Sequence, residues 1–452
     1  MKKFFETLSN IWKIEELRNR ILVTLGFLLV YRFGAQVVLP GIDSTQLAEL
    51  TSRAQGNGLL GILNAFTGGA FANASVFALG IMPYISASIV VQLMGIAIPY
   101  LQKLQKEGES GRKKITQITR WLTIGICVVQ APAYLYSLSS VFNIPAQAFI
   151  DGSGQSLGFI VPSVIILVTG TIFAMWLGEK ITDRGIGNGI SLLIMVGIIA
   201  TLPQNFVQEV LSRTTGEGTG DVMLILVELV IWFLVILASV LLVMAVRQIP
   251  VQYARRTTTG GYERSARQYI PLKLNASGVM PIIFAQAIMF APAYLGKGVG
   301  FIKDTAVGQW LLKFENPFGL EYNILFGLLI IIFTFFYTAI TVPTNKMADD
   351  LKRSGGFIPG IRPGKETSDY LDKIMSQITF PGSLFLALLA VFPAIIVKIL
   401  GMQQGWALFY GGTSLLIMVG VAIDTMQQVN SYLLNRHYDG LMKTGKNRKV
   451  VA

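Results

Sequence analysis

Runs of about 20 apolar residues recur from near the N-terminus to near the C-terminus of this 452-residue chain. A helix of that length crosses a hydrocarbon core of about 30 Å, and in lipid a backbone has few other ways to satisfy its own polar groups. The chain therefore reads as an all-α polytopic membrane protein. Composition agrees: 14% of the residues are charged, against about 25% in a soluble domain. A soluble enzyme, a disordered chain and a secreted disulfide scaffold are excluded. One cysteine, Cys127, cannot form an internal disulfide, and one histidine, His437, leaves almost no material for a histidine base or a histidine-bound metal. No catalytic residue, metal site or cofactor is expected.

A window of about 19 residues places ten spans near 21–39, 76–99, 121–140, 158–177, 188–203, 222–246, 275–295, 322–342, 375–397 and 405–425. The first is not a cleaved signal. Arg32 interrupts it, and Pro40-Gly41-Ile42-Asp43 stands where a small-x-small cleavage site would fall. In residues 1–20, Phe4, Leu8, Ile11 and Trp12 share one helical face, with Lys2, Lys3, Lys13 and Arg18 around them. This segment is either an amphipathic helix in the interface or a solvated arm.

Sorting charge by alternate loops fixes orientation. The N-terminus and the segments near 100–120, 178–187, 247–274, 343–374 and 426–452 hold 30 basic residues, and the opposite loops hold 6. The positive-inside rule then puts both termini in the cytoplasm. With 14 acidic residues inside and 10 outside, the formal charge of +12 separates into about +16 inside and about −4 outside.

The outside loop at 204–221, with Gly216, Gly218 and Gly220 just beyond Pro203, divides the chain into two sets of five spans, 21–203 and 222–425, ahead of a tail at 426–452. A set of five starts on one side and ends on the other, so the second set must run the opposite way. Inverted halves of this kind place a working site between them.

Several segments depart from a plain bundle. Residues 58–71 are apolar yet reach only about 21 Å as a helix, too short to span. They form either a re-entrant piece or a loop resting on the outer interface. Ile85 and Ile89, and again Ile190 and Ile194, are i, i+4 pairs among small and polar neighbours. Such pairs suit a dry constriction, and they equally suit ordinary helix packing. The loop at 247–274 reads as a hairpin, from alternating Val251 and Tyr253 and the turn at Gly260-Gly261. It carries Arg255 and Arg256, and the loop at 343–374 carries Arg353 and Arg362. These arginines either grip phosphates or an acidic protein surface, or serve topology alone.

The near-match to a P-loop at 440–447 fails at Asn447, where Ser or Thr is needed, and no buried strand precedes it. Within the spans the clear charges are Arg32, Glu228 and Asp424, which weighs against an ion-coupled transporter.

Six stretches together resemble the channel subunit of the Sec protein translocase, the SecY/Sec61-alpha family. They are Leu39 to Asp43, Phe77 to Ile89, Lys106 to Arg112, Arg184 to Ser191, Phe357 to Gly364 and Gly411 to Ile417. They include polar loops and run in order over nearly the whole chain. The resemblance implies ten helices in two inverted five-helix halves, a clamshell around an hourglass pore in the bacterial inner (plasma) membrane. It assigns a pore ring to Ile85, Ile89, Ile190, Ile194, Ile283 and Ile417. It assigns a plug to about 58–71, with Leu59, Leu60, Ile62, Leu63, Phe66, Gly68 and Gly69. Ser86, Gln92 and Asn275 take lateral-gate positions, and Arg255, Arg256, Arg353 and Arg362 take docking positions. The implied partners are the SecE and SecG subunits, the SecA motor, the ribosome, signal-bearing preproteins and nascent membrane proteins, the lipid bilayer and, as accessories, SecDF and YidC. The implied activity is passive conduction of unfolded polypeptides, with release of membrane helices into lipid. Its rival is small-molecule secondary transport, which the inverted halves alone favour.

Overall fold

The computed structural model describes residues 12, 14–43, 64–140, 149, 156–215, 222–253, 268–286, 288–289 and 316–446. It is mostly helical. The long elements are α1 (Glu15–Gly34), α2 (Met82–Ala97), α3 (Pro99–Lys106), α4 (Glu109–Ser140), α5 (Leu157–Arg184), α6 (Gly189–Thr215) and α7 (Val222–Met244). After them come strands β1 (Val246–Tyr253) and β2 (Gln268–Lys273), then α8 (Leu320–Thr341), α9 (Thr344–Arg353) and a short β3 (Gly356–Phe357). The chain closes with α10 (Lys365–Leu400), α11 (Gln404–Ala407) and α12 (Gly412–Lys446). Among the described residues six helices are long and apolar enough to cross a membrane, or seven if the bent pair α2–α3 is one span. The helices at the first and tenth expected spans are long but more polar: α1 carries Arg18, Arg20 and Arg32, and α12 carries Asp424, Gln427 and Gln428.

Most helices outrun their expected spans, because the apolar window detects the lipid-facing length and not the turns beyond it. The second span falls short at its start. Its helix begins only at Met82, with Pro83 in its first turn, and residues 73–81 before it run mostly as turns. Proline is suited to that first turn, where its missing N–H has no partner to lose.

The chain divides into two compact units: Met1–Gln208 with Val421–Ala452, and Glu209–Gly420. The boundaries fall inside α6 and α12, not in the glycine-rich segment at 216–221, which lies outside the described residues. In the first unit α4 packs against α2 and α5, and α1 against α5. The two ends of the unit meet where Gln428 Oε1 accepts from Gly187 N at 2.9 Å and Arg20 lies 5.1 Å over the Tyr432 ring.

In the second unit α8 packs along α10, and the expected hairpin is present. β1 pairs antiparallel with β2 from Val246–Lys273 to Val251–Gln268, and with β3 at Gln252–Phe357 and Tyr253–Gly356. Because β3 is so short, Pro250 stays on an open edge, where a missing N–H is tolerated. The sheet has its own core. Ile249, Val251 and Leu272 from the strands meet Leu351 of α9, Ile358, and Leu371, Ile374, Met375 and Ile378 of α10. Two loops that look separate in sequence are one packed platform on the base of α10. Leu371→Ala, at 1% exposure, should cost about 2–4 kcal/mol. Limited proteolysis and thermal unfolding in detergent are the measures, and an unchanged cleavage rate at the platform would show that this cluster does not hold it.

Candidate functional site

The segment before α2 leaves the helical pattern yet is buried, so each of its backbone groups needs a partner. Residues 64–67 form one helical turn in which Asn64, Ala65, Phe66 and Thr67 are all buried. Asn64 works twice: its carbonyl accepts from Gly69 N at 2.9 Å, and its Oδ1 accepts from Ala72 N at 3.0 Å. The Thr67 hydroxyl donates to Asn64 O at 3.2 Å and accepts from Phe71 N at 3.1 Å. The Tyr134 hydroxyl of α4 donates to Phe71 O at 2.8 Å, with the two rings 4.9 Å apart. Farther on, Leu39 N and Val76 N donate to Ala74 O and Val37 O, each at 2.9 Å, and Phe77 stacks on Tyr31 at 5.6 Å.

Two contacts hold the middle of this segment. Arg32 Nη1 donates to Gly68 O at 2.8 Å. Gly68, at φ +66°, faces Gly197 of α6 so closely that a Cβ on it would stand 2.7 Å from the Gly197 Cα. A Cβ on Gly197 would stand 2.9 Å from Phe66 O. Only glycine fits both positions. The sequence singles out Arg32 as an interruption of a span, with no hint of its partner; the structure gives that charge a task. Of the expected plug residues, Phe66 and Gly68 are buried and Gly69 half-buried, while Leu59, Leu60, Ile62 and Leu63 lie outside the described residues.

Ile85 and Ile89 stand one turn apart on α2, and Ile190 and Ile194 one turn apart at the start of α6, all in the first unit. Ile89 and Ile194 are buried, Ile85 and Ile190 half-buried. α6 starts tightly against α5, where a Cβ on Gly178 would meet Ile190 Cγ1 at 2.9 Å. Ile283, half-buried in the helical stretch 280–286, and Ile417, 3% exposed in α12, belong to the second unit. Ser86 donates back to Met82 O at 3.2 Å, and Gln92 donates to Ser88 Oγ at 3.2 Å. Asn275 is buried and accepts from Ser277 Oγ at 3.2 Å.

The platform presents Arg353 exposed at the end of α9. Arg362 is 88% exposed on its side chain and 3.9 Å from Glu366, too far for a firm pair. Its carbonyl is fixed by the Thr367 hydroxyl at 2.8 Å. A rigid backbone with a free guanidinium is a suitable anchor for an anionic partner. Arg255 and Arg256, between β1 and β2 in sequence, lie outside the described residues.

Known proteins are similar to this chain in sequence and in fold. The family model for SecY matches residues 75–426. The protein translocase subunit SecY of Streptomyces coelicolor is 41% identical over 441 residues, 96% of this chain and 98% of its own length. A solved SecY structure, described as showing that the plug domain stabilises the closed state of the translocation channel and maintains a membrane seal, superposes with a TM-score of 0.56 at 18% identity, covering 92% of each chain. The idle yeast Ssh1 complex bound to the yeast 80S ribosome gives a TM-score of 0.56 at 15% identity, over 91% of this chain and 89% of that one. With a family match over most of its length and a near-full-length relative at this identity, the chain belongs to the SecY family.

Proposed function

We propose that the chain is the pore-forming subunit of a Sec translocon. It is a protein-conducting channel and not an enzyme. The observation that carries this reading is the 41% identity to a translocase subunit over 96% of the chain. The finer architecture belongs to the same proposal: ten transmembrane helices in two inverted halves, 21–203 and 222–425, joined through 204–221, in the inner membrane with both termini cytoplasmic. Support comes from the division of the chain into two compact units and from the side-to-side asymmetry of basic residues.

In this reading a signal sequence opens a lateral gate lined by Ser86, Gln92 and Asn275. The plug, of which 64–71 is the described part, moves aside. The extended chain threads a ring of Ile85, Ile89, Ile190, Ile194, Ile283 and Ile417, whose apolar girdle limits ion leakage by dewetting. Membrane-bound segments leave sideways, each buried CH₂ contributing about 0.8 kcal/mol. Directional work comes from partners: the SecA motor or the ribosome at Arg255, Arg256, Arg353 and Arg362, with SecE and SecG as small subunits and SecDF and YidC as accessories. A ribosome is the partner of the related yeast Ssh1 complex. Small-molecule transport finds no support in these relatives.

Vesicles reconstituted with this chain, its copurifying small subunits and a motor should import a signal-bearing preprotein with ATP; uptake of a small solute without preprotein import would sink the reading. Arg362→Glu should abolish motor-driven import while the thermal unfolding of the membrane domain stays unchanged, and import at the wild-type rate would remove Arg362 from the docking surface. Arg32→Gln shortens the donor that holds Gly68 O and weakens that contact by about 1–3 kcal/mol. Resting ion conductance in planar bilayers should then rise, and a conductance equal to wild type would show that the Arg32 contact does not keep the channel shut.

A further inference from the structure

Glu228 is the only charged residue in α7, and it is 1% exposed. It meets Arg213 near the end of α6, and so does Glu209, also 1% exposed. Arg213 Nε donates to Glu209 Oε1 at 2.9 Å; its Nη2 donates to Glu228 Oε1 at 2.9 Å and to Leu400 O, at the end of α10, at 2.8 Å. Glu209 Oε2 accepts from Gln403 N at 2.9 Å, so both oxygens of that carboxylate are filled. Among the described residues, Glu228 Oε2 is buried with no hydrogen-bond partner, and so is Gln404 Oε1, on the residue next to Gln403. All of these groups lie in the second unit.

Two buried carboxylates share one guanidinium. If both were ionised, the cluster would hold a net negative charge, with one carboxylate oxygen facing no donor in a helix expected to border lipid. Buried charge without a counter-charge is strongly disfavoured. An unfilled carboxylate oxygen is an acceptor with nothing to accept, and a hydrogen placed on it removes both the charge and the vacancy.

We propose that Glu228 is a proton-binding site, with the proton on Oε2. Glu209 and Arg213 are then the ion pair, Glu228 is the neutral acid beside it, and the three side chains sum to zero charge. Among the described residues, the remaining groups near the site do not supply that charge. Tyr410, fully buried, accepts from Trp406 Nε1 at 3.2 Å, and Lys398, the charged residue nearest along α10, is exposed. Binding takes one proton from water at this end of the unit and joins the ends of α6, α7 and α10. Release returns it to water and leaves two negative charges on a single arginine, which loosens the joint.

The sign of the pH effect follows. Free glutamate is ionised above about pH 4.3, so above that pH folding takes up a proton at Glu228 and stability falls as pH rises. In the full chain purified from membranes, the unfolding midpoint should drop by about 3 °C between about pH 6 and about pH 9. Glu228→Gln, a neutral isostere, should remove this site's share of the drop and match or exceed the wild type at the higher pH. Equal pH dependence in the two proteins would overturn the proposal, as would a rise of the wild-type midpoint on adding sodium or calcium chloride that Glu228→Gln abolishes, since a metal ion would then be the missing charge. Infrared spectra supply a second readout: a protonated-carboxyl C=O band in the wild type near neutral pH that Glu209→Gln removes, because Arg213 then has only Glu228 to pair with. Absence of that band from the wild type, or its persistence in Glu209→Gln, would also overturn the assignment.

Discussion

A backbone that leaves the helix inside a membrane protein must carry its own hydrogen-bond partners, because lipid offers none. The stretch from Asn64 to Ile81 is built around that requirement. Asn64 and Thr67 act as local stand-ins for the missing helical ladder, and Tyr134 and Arg32 reach in from α4 and α1 to take two more carbonyls. Without those groups a short apolar segment of this kind would have to lie on the membrane surface. With them it is held inside the first unit, against Gly197 of α6.

The strand platform obeys a different rule. Its hairpin is too small to be stable alone, and the loop that follows α8 has little regular structure beyond α9. They are stable together because Ile249, Val251 and Leu272 share one apolar core with Leu351, Ile358 and the first turns of α10. The sheet thereby places Arg353 and Arg362 on a surface fixed to a 36-residue helix, so a partner that binds there engages a rigid element and not two independent loops.

Features set by a chain's own periodicity were legible in the sequence. Long apolar runs gave α4 to α8 and α10, and alternation at Val251 and Tyr253 gave the β1–β2 hairpin. Less legible was whatever depends on a partner distant in sequence. Arg32 and Gly68 are 36 residues apart, and Arg213 and Leu400 are 187 apart. No local pattern announces such pairs; the only signal is the oddity of a charge inside an apolar run, which marked Arg32 and Glu228 without naming what they touch. The late start of α2 was missed because residues 76–81 are as apolar as a span, and the positive φ of Gly80 is invisible to a hydropathy window. The six isoleucines and the gate positions became candidates through family motifs, since spacing alone fits ordinary packing equally well.

The meeting of Gly68 with Gly197 has a kinetic side. Side-chain knobs seated in holes must change rotamer and repack to come apart, and close packing makes that slow and unforgiving. Two bare α-carbons in contact have no rotamers to lose and leave behind no hole shaped to one side chain. Such a joint can part and re-form many times and return to the same register, guided by a single guanidinium that recognises one carbonyl. A segment seated in this way is suited to repeated cycles of departure and return.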